Sequence, residues 1–281
     1  MAVPRWATDG WDAAVRIGLL VPHADVGPES EMRAMAPSGV CIHAMRVPFG
    51  AMGSGGGMDP TIALEPVRRF AEPSELDNAA ELLAAAPLHV IAYGFTSSAY
   101  VIAARGEADM VRRLRRRARD IPIVTPCAAA VEALHVLDAR RIALFDPPWF
   151  DAQLVGLGRT YYEDAGFDVL VATACELPSD QTAITPDALY RWVVEHAPAD
   201  AEAIVIGGNG FRAVGVIAAL EADLGRPVLT ANQVLLWDAL RAADAMLRVD
   251  GYGRIFGLDT PRDPDVAGAP GPGATGASAR R

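Results

Sequence analysis

Short, near-continuous apolar runs alternate along the chain with longer amphipathic segments. The runs fall at 16–22, 40–47, 88–93, 121–125, 141–146, 167–173, 203–207 and 227–230. They are rich in Val, Ile, Leu and Ala, as strands buried on both faces of a parallel sheet must be. Between them, segments 72–86, 128–137, 151–165, 186–196, 212–224 and 233–245 have helical spacing. The alternation predicts an α/β protein with right-handed crossovers. Eight strands also suit a single barrel, but the two halves echo each other. The run 16–22 ends in Val21-Pro22-His23 and 141–146 in Asp146-Pro147-Pro148. At roughly the same offset, Ala92-Tyr93-Gly94-Phe95-Thr96-Ser97-Ser98 answers Val205-Ile206-Gly207-Gly208-Asn209-Gly210. Each time a buried strand runs into small polar residues and then a helix. Two similar lobes are expected, with their strand C-terminal ends at a shared cleft, where open α/β sheets bind ligands. The first lobe is assigned 14–120 plus 231–258 and the second 121–230. The Pro/Gly/Ala-rich stretch 259–281 is expected to be a disordered tail.

Composition narrows the chemistry. Of 281 residues, 51% are hydrophobic and 21% charged, which suits a globular protein. Every one of the 25 basic residues is Arg. Without Lys there is no Schiff base and no Walker-type phosphate loop. The net charge of -10 weighs against nucleic acid or an anionic membrane as partner. The basic cluster Arg112, Arg113, Arg115, Arg116, Arg117 and Arg119 reads as the solvated end of a helix. Cys41, Cys127 and Cys175 form no CxxC and no zinc pattern, so neither a metal nor a disulfide framework is expected. With no evident signal peptide and no membrane-length apolar run, the expected location is cytoplasmic. The Gly/Met-rich stretch 46–59 lacks GxGxxG spacing, which argues against a dinucleotide cofactor. It suits a mobile lid over an apolar pocket, or a flexible connector.

Five segments are candidates for chemistry. Thr96, Ser97 and Ser98 open a helix after a strand, which makes an anion site or a plain N-cap. In Gly207-Gly208-Asn209-Gly210 the glycines let backbone approach a ligand, and Asn209 supplies donors; a tight turn is the plainer reading. His23 and Asp25 follow the first strand as acid, base or carboxylate-binding groups. Cys127 lies at a helix start, where a thiolate is favoured, although free Cys is commonly inert and buried. Trp149 offers an aromatic wall from the second lobe.

At these residues the chain resembles the aspartate/glutamate racemase superfamily, in its maleate cis-trans isomerase and arylmalonate decarboxylase branch. The resemblance runs from about Arg16 to Ala245. It is carried by 16–22 with Glu29 and Glu31, by 92–98, by Pro147-Pro148-Trp149, and by Ile206-Gly207-Gly208-Asn209-Gly210-Phe211-Arg212. It implies two Rossmann-like lobes with parallel four-stranded sheets, related by a pseudo-twofold, and no metal or organic cofactor. It also implies a cysteine from each lobe in racemases and isomerases, and only the second-lobe cysteine in decarboxylases. Those positions fall on Phe95 and Gly208 here, and neither side chain moves a proton or attacks carbon. The resemblance implies a small carboxylate held by Thr96, Ser97, Ser98, Asn209 and Gly210, with Asp25 and Trp149 beside it. Cys127 and His23 remain as proton-transfer candidates, and a homo-oligomer is possible in such a family. Cofactor-independent isomerisation or decarboxylation is the expected function. A non-catalytic carboxylate-binding protein of the same fold is the alternative, and an enzyme of unrelated chemistry on a similar scaffold is a third.

Overall fold

In the computed structural model, which describes residues 9–245 and 247–258, all eight apolar runs are strands. The first half reads β1 (Val15–Pro22), α1 (Gly27–Met35), β2 (Val40–Val47), α2 (Leu64–Ala71), α3 (Glu75–Leu83), β3 (Val90–Tyr93), α4 (Thr96–Arg117), β4 (Ile123–Val124) and α5 (Pro126–Val136). The second reads β5 (Arg141–Asp146), α6 (Ala152–Asp164), β6 (Asp168–Ala174), α7 (Pro186–His196), β7 (Ala203–Ile206), α8 (Ile217–Leu224) and β8 (Val228–Thr230), followed by α9 (Ala231–Ala242).

The strands form two four-stranded sheets, not a barrel, in the orders β2-β1-β3-β4 and β6-β5-β7-β8. Every pairing is parallel, and the second order repeats the first with each number raised by four. The echo of the halves is thus an echo of topology. The central strands are buried along almost their whole length, which is why they read as unbroken apolar runs instead of alternating ones.

The lobe boundary expected at 121 falls one strand too early. Ile123 and Val124 of β4 register against Ile91 and Ala92 of β3, so the 121–125 run completes the first sheet. Helix α5 then packs on α9 and α4. Chain order alone does not say which sheet edge a strand joins; α4 carries the chain back beside β3. Helices α1 and α2 were not among the expected segments. They are short, and α1 (GPESEMRAM) carries few apolar residues. The expected helix at 212–224 begins as a 3-10 turn over Val214–Val216 before α8. The tail at 259–281 lies outside the described residues. Among those described, no helix is long and apolar enough to cross a membrane.

The loop between β2 and α2 is tied down. Met52 bridges Met58, Ile62 N–H donates to Trp149 O at 2.9 Å, and Ser179 Oγ donates to Pro60 O at 2.6 Å. A first-lobe segment is thereby strapped onto the second lobe, over the strand ends.

Candidate active site

The site begins where β3 and β7 end. Gly94 N–H donates to Leu20 O and Gly207 N–H to Phe145 O, both at 2.8 Å, so each turn leaves its sheet in the same way. After β3 the chain enters α4 at once. No side chain caps that helix, so its first N–H groups are open to a ligand and its positive dipole end faces the space between the lobes. After β7 the chain makes a glycine turn, with Gly208 at φ +80°.

These ends line a small cleft pocket with a cavity volume of about 20 Å³. Its apolar lining comes from Pro22, Phe49, Met52, Met58, Ile62, Phe95, Trp149 and Phe150. Its polar lining comes from Asp25, Thr96, Ser97, Gln181 and Asn209, with the backbone of Gly208 and Gly210. The structure therefore brings together Asp25, Thr96, Ser97, Trp149, Asn209 and Gly210 of the expected set. Ser98 is not with them. Its hydroxyl lies 2.8 Å from that of Tyr93, turned into the first lobe.

Neither of the positions at which a cysteine was expected from the resemblance offers a reactive group. Phe95 fills its place by packing on Phe49 (ring centroids 4.8 Å apart) and Phe70 (4.3 Å). At Gly208 a Cβ would lie 2.7 Å from Pro147 Cγ, on a backbone of positive φ, so a side chain is excluded twice over. The two proton-transfer candidates are corrected as well. His23 is exposed, and its Nδ1 accepts the Phe49 N–H at 3.1 Å; it pins the loop after β2 and does not line the cleft. Cys127 is buried behind Thr96, with Sγ 3.6 Å from Thr96 O. Burial, then the nearby Glu107 and Asp146 carboxyls, push its thiol well above the usual range. Desolvation overrides the helix N-terminus that was expected to favour the thiolate.

Asp25 is the one titratable side chain among the described residues lining the cleft. Burial raises its pKa, against the Gly27 N–H (2.8 Å), the Gln181 amide (3.2 Å) and the charge of Arg46, which lower it. Arg46 itself bonds the Asp25 carbonyl oxygen and pairs with Glu29 at 2.5 Å. Gln181 was missed in the sequence. It lies 156 residues from Asp25, in the loop before α7, and no motif marks it.

Asn232 was missed for the same reason. It joins a buried chain of side chains that crosses the lobes. Thr96 Oγ1 is 2.7 Å from Asn209 Oδ1, and Asn209 Nδ2 is 2.7 Å from Asn232 Oδ1. Asn232 Nδ2 then lies 2.8 Å from both Glu31 Oε2 and Asn209 O. Glu31 Oε1 closes the chain by accepting the Ala213 and Val214 N–H groups at 2.7 and 3.0 Å. Burial is the main cause that lifts the Glu31 pKa to about 7. Asn209 is thus held mainly by protein groups, where the sequence suggested a side chain free for the ligand. Beneath the β7 turn, the buried Asp146 accepts the Tyr100 hydroxyl at 3.2 Å, and burial raises its pKa to about 8. Among the described residues, no group of three or more His, Cys, Asp or Glu is placed to hold a metal ion.

Comparison with known proteins agrees with this fold. The residue pattern of the arylmalonate decarboxylase family matches residues 17–256. A maleate isomerase of Pseudomonas putida is 26% identical over 261 residues, covering 86% of this chain and 96% of that protein. The arylmalonate decarboxylase of Bordetella bronchiseptica is 29% identical over 151 residues, half of this chain and 60% of the other. Among solved structures, the maleate isomerase Iso of Pseudomonas putida S16 superposes with a TM-score of 0.74 at 24% identity, over 86% of this chain and 98% of that one. Unliganded arylmalonate decarboxylase does so with a TM-score of 0.70 at 19% identity, over 87% and 99%. At those identities the superpositions speak for the fold.

Proposed function

The chain belongs to the arylmalonate decarboxylase family, and from that premise we propose that it is a cofactor-independent enzyme that decarboxylates a small carboxylate in the interlobe cleft. The observation that carries this reading is Asp25, the one titratable side chain on the described cleft wall, whose pKa burial raises toward the protonated acid. Decarboxylation needs one proton donor and a place for developing negative charge. A two-base racemisation needs a second proton carrier, and isomerisation through a covalent adduct needs a nucleophile. Phe95 and Gly208 supply neither.

In the proposed step the bond between the α-carbon and one carboxyl carbon breaks, and carbon dioxide leaves. The electron pair delocalises into the remaining acyl group as an enediolate. The Ser97 hydroxyl and the open N–H groups of α4 stabilise that charge. Asp25 gives its proton to the α-carbon and recovers one from water. The apolar lining takes the substrate's substituent.

The test is carbon dioxide release from phenylmalonate by the full chain, run in deuterated water to follow label at the α-carbon. Asp25→Asn keeps the shape and lacks the acidic proton; turnover should fall by about a hundredfold or more, with phenylmalonate binding retained. Undiminished turnover in that variant removes Asp25 from the mechanism. Binding without turnover in the unaltered protein supports the second reading, a carboxylate-binding protein, which the packed Phe95 and the barred Gly208 favour.

A further inference from the structure

Thr96 and Asn209 meet in the polar lining of the cleft, and the direction of the hydrogen bond between them is set several atoms away. Asn232 presents one end of its amide, 2.8 Å from each, to the Asn209 main-chain oxygen and to Glu31 Oε2. A main-chain carbonyl only accepts. An amide oxygen in that place would face an acceptor with no proton between them, so the Asn232 NH2 must point there. Protonating Glu31 does not change this, because the Asn209 carbonyl has no proton in either state. The Asn232 Oδ1 then faces the Asn209 side chain at 2.7 Å and requires its NH2. That leaves the Asn209 Oδ1 toward Thr96, 2.7 Å away, so the Thr96 hydroxyl is the donor. A hydroxyl has one proton and two lone pairs. The one Thr96 O–H is directed to Asn209, and only lone pairs remain for anything bound in the cleft.

We propose that the cleft selects a carboxylate bearing an O–H or N–H group on the adjacent carbon, with that donor bonding Thr96 Oγ1 and the carboxylate taking Ser97 and the N-terminus of α4. This rests on the reading of the cleft as the ligand site and narrows its substrate class. An isostere with an acceptor at that place meets the Thr96 lone pair and leaves a buried acceptor unpaired, which is the arrangement that discriminates most sharply between ligands. Asn232 is a positioning residue here, since it lies outside the cleft lining and acts through the Asn209 amide.

Three unreactive probes, mandelate, O-methylmandelate and phenylacetate, separate this from the decarboxylase reading, because they measure binding alone. Calorimetric titration of the full chain should show mandelate binding at least about tenfold more tightly than its methyl ether. Thr96→Val should abolish that preference, and Thr96→Ser, which restores the hydroxyl and guards against a folding artefact, should recover it. Ser97→Ala should weaken all three probes alike. Equal binding of mandelate and its ether, a preference that persists in Thr96→Val, or no binding of mandelate overturns the proposal. If phenylmalonate is nonetheless decarboxylated, the function stands and only this selectivity fails; if phenylmalonate and all three probes fail to bind, both fall.

Discussion

The turns Gly94-Phe95-Thr96 and Gly207-Gly208-Asn209 face each other across the cleft with one backbone plan and opposite fillings. Each starts with the same 2.8 Å hydrogen bond from a glycine N–H to the central strand of its sheet. Beneath Gly94 lie apolar atoms of Val21, Leu19 and Pro28, at 3.2 to 3.3 Å from where a Cβ would stand. Beneath Gly207 lie the Asp146 carboxylate oxygen, at 2.2 Å, and the Tyr100 hydroxyl, at 3.0 Å. At its middle position the first turn carries a bulky ring packed into an aromatic cluster, and the second carries only Gly208, with no room for a side chain. Repeated topology therefore does not mean repeated chemistry; what packs under each turn decides what the turn can present.

The largest test of that contrast is a methyl group. Gly207→Ala should destabilise the protein by about 3 kcal/mol, because a buried carboxylate must move. Gly94→Ala, against apolar neighbours that give by a few tenths of an ångström, should cost about 1 kcal/mol. Thermal unfolding of the two variants measures the difference, and equal losses would break the comparison.

A pH series sharpens it. Asp146 is lifted from 3.8 to about 8 and Glu31 from 4.5 to about 7, in both cases mainly by burial. The folded state then binds more protons than the unfolded one between those values, so stability is greatest below the unfolded pKa values and falls as pH rises through the folded ones. Denaturant unfolding should show a loss of several kcal/mol between about pH 5 and about pH 9. Asp146→Asn should flatten the upper part of that slope. A stability that rises over this window would contradict the burial argument.

The smallest expected effect concerns the thiols. Cys41 is partly exposed and Cys127 buried. Iodoacetamide at neutral pH should label Cys41 well before Cys127 in the folded protein, and Cys127→Ser should leave phenylmalonate turnover within about twofold. Fast labelling of Cys127 that ligand blocks would return the thiol to the mechanism.

Much of the fold was legible because its signals are local. A strand buried on both faces needs only a short run of Val, Ile, Leu and Ala, and all eight runs became strands. Thr96, Ser97, Asn209 and Gly210 were legible as strand-end residues, and the lack of cysteine at Phe95 and Gly208 is plain in the chain itself. Ser98 sits in the same motif yet turns to Tyr93, because successive residues of a helix point in different directions. His23 and Cys127 carry the right chemistry, but exposure and burial are not properties of a residue's own neighbourhood in sequence.

By itself, then, the sequence determined two echoing α/β halves, an acidic lysine-free composition, and the absence of cysteine at Phe95 and Gly208. Only the tertiary structure decided that β4 belongs to the first sheet, that Gln181 crosses 156 residues to reach Asp25, and that Asn232, fixed by the Asn209 main-chain oxygen, orients the Asn209 amide so that its oxygen accepts from Thr96. The reason is physical. Hydrophobic periodicity is written in neighbouring residues, whereas desolvation and the direction of a buried hydrogen bond depend on atoms that only folding brings together.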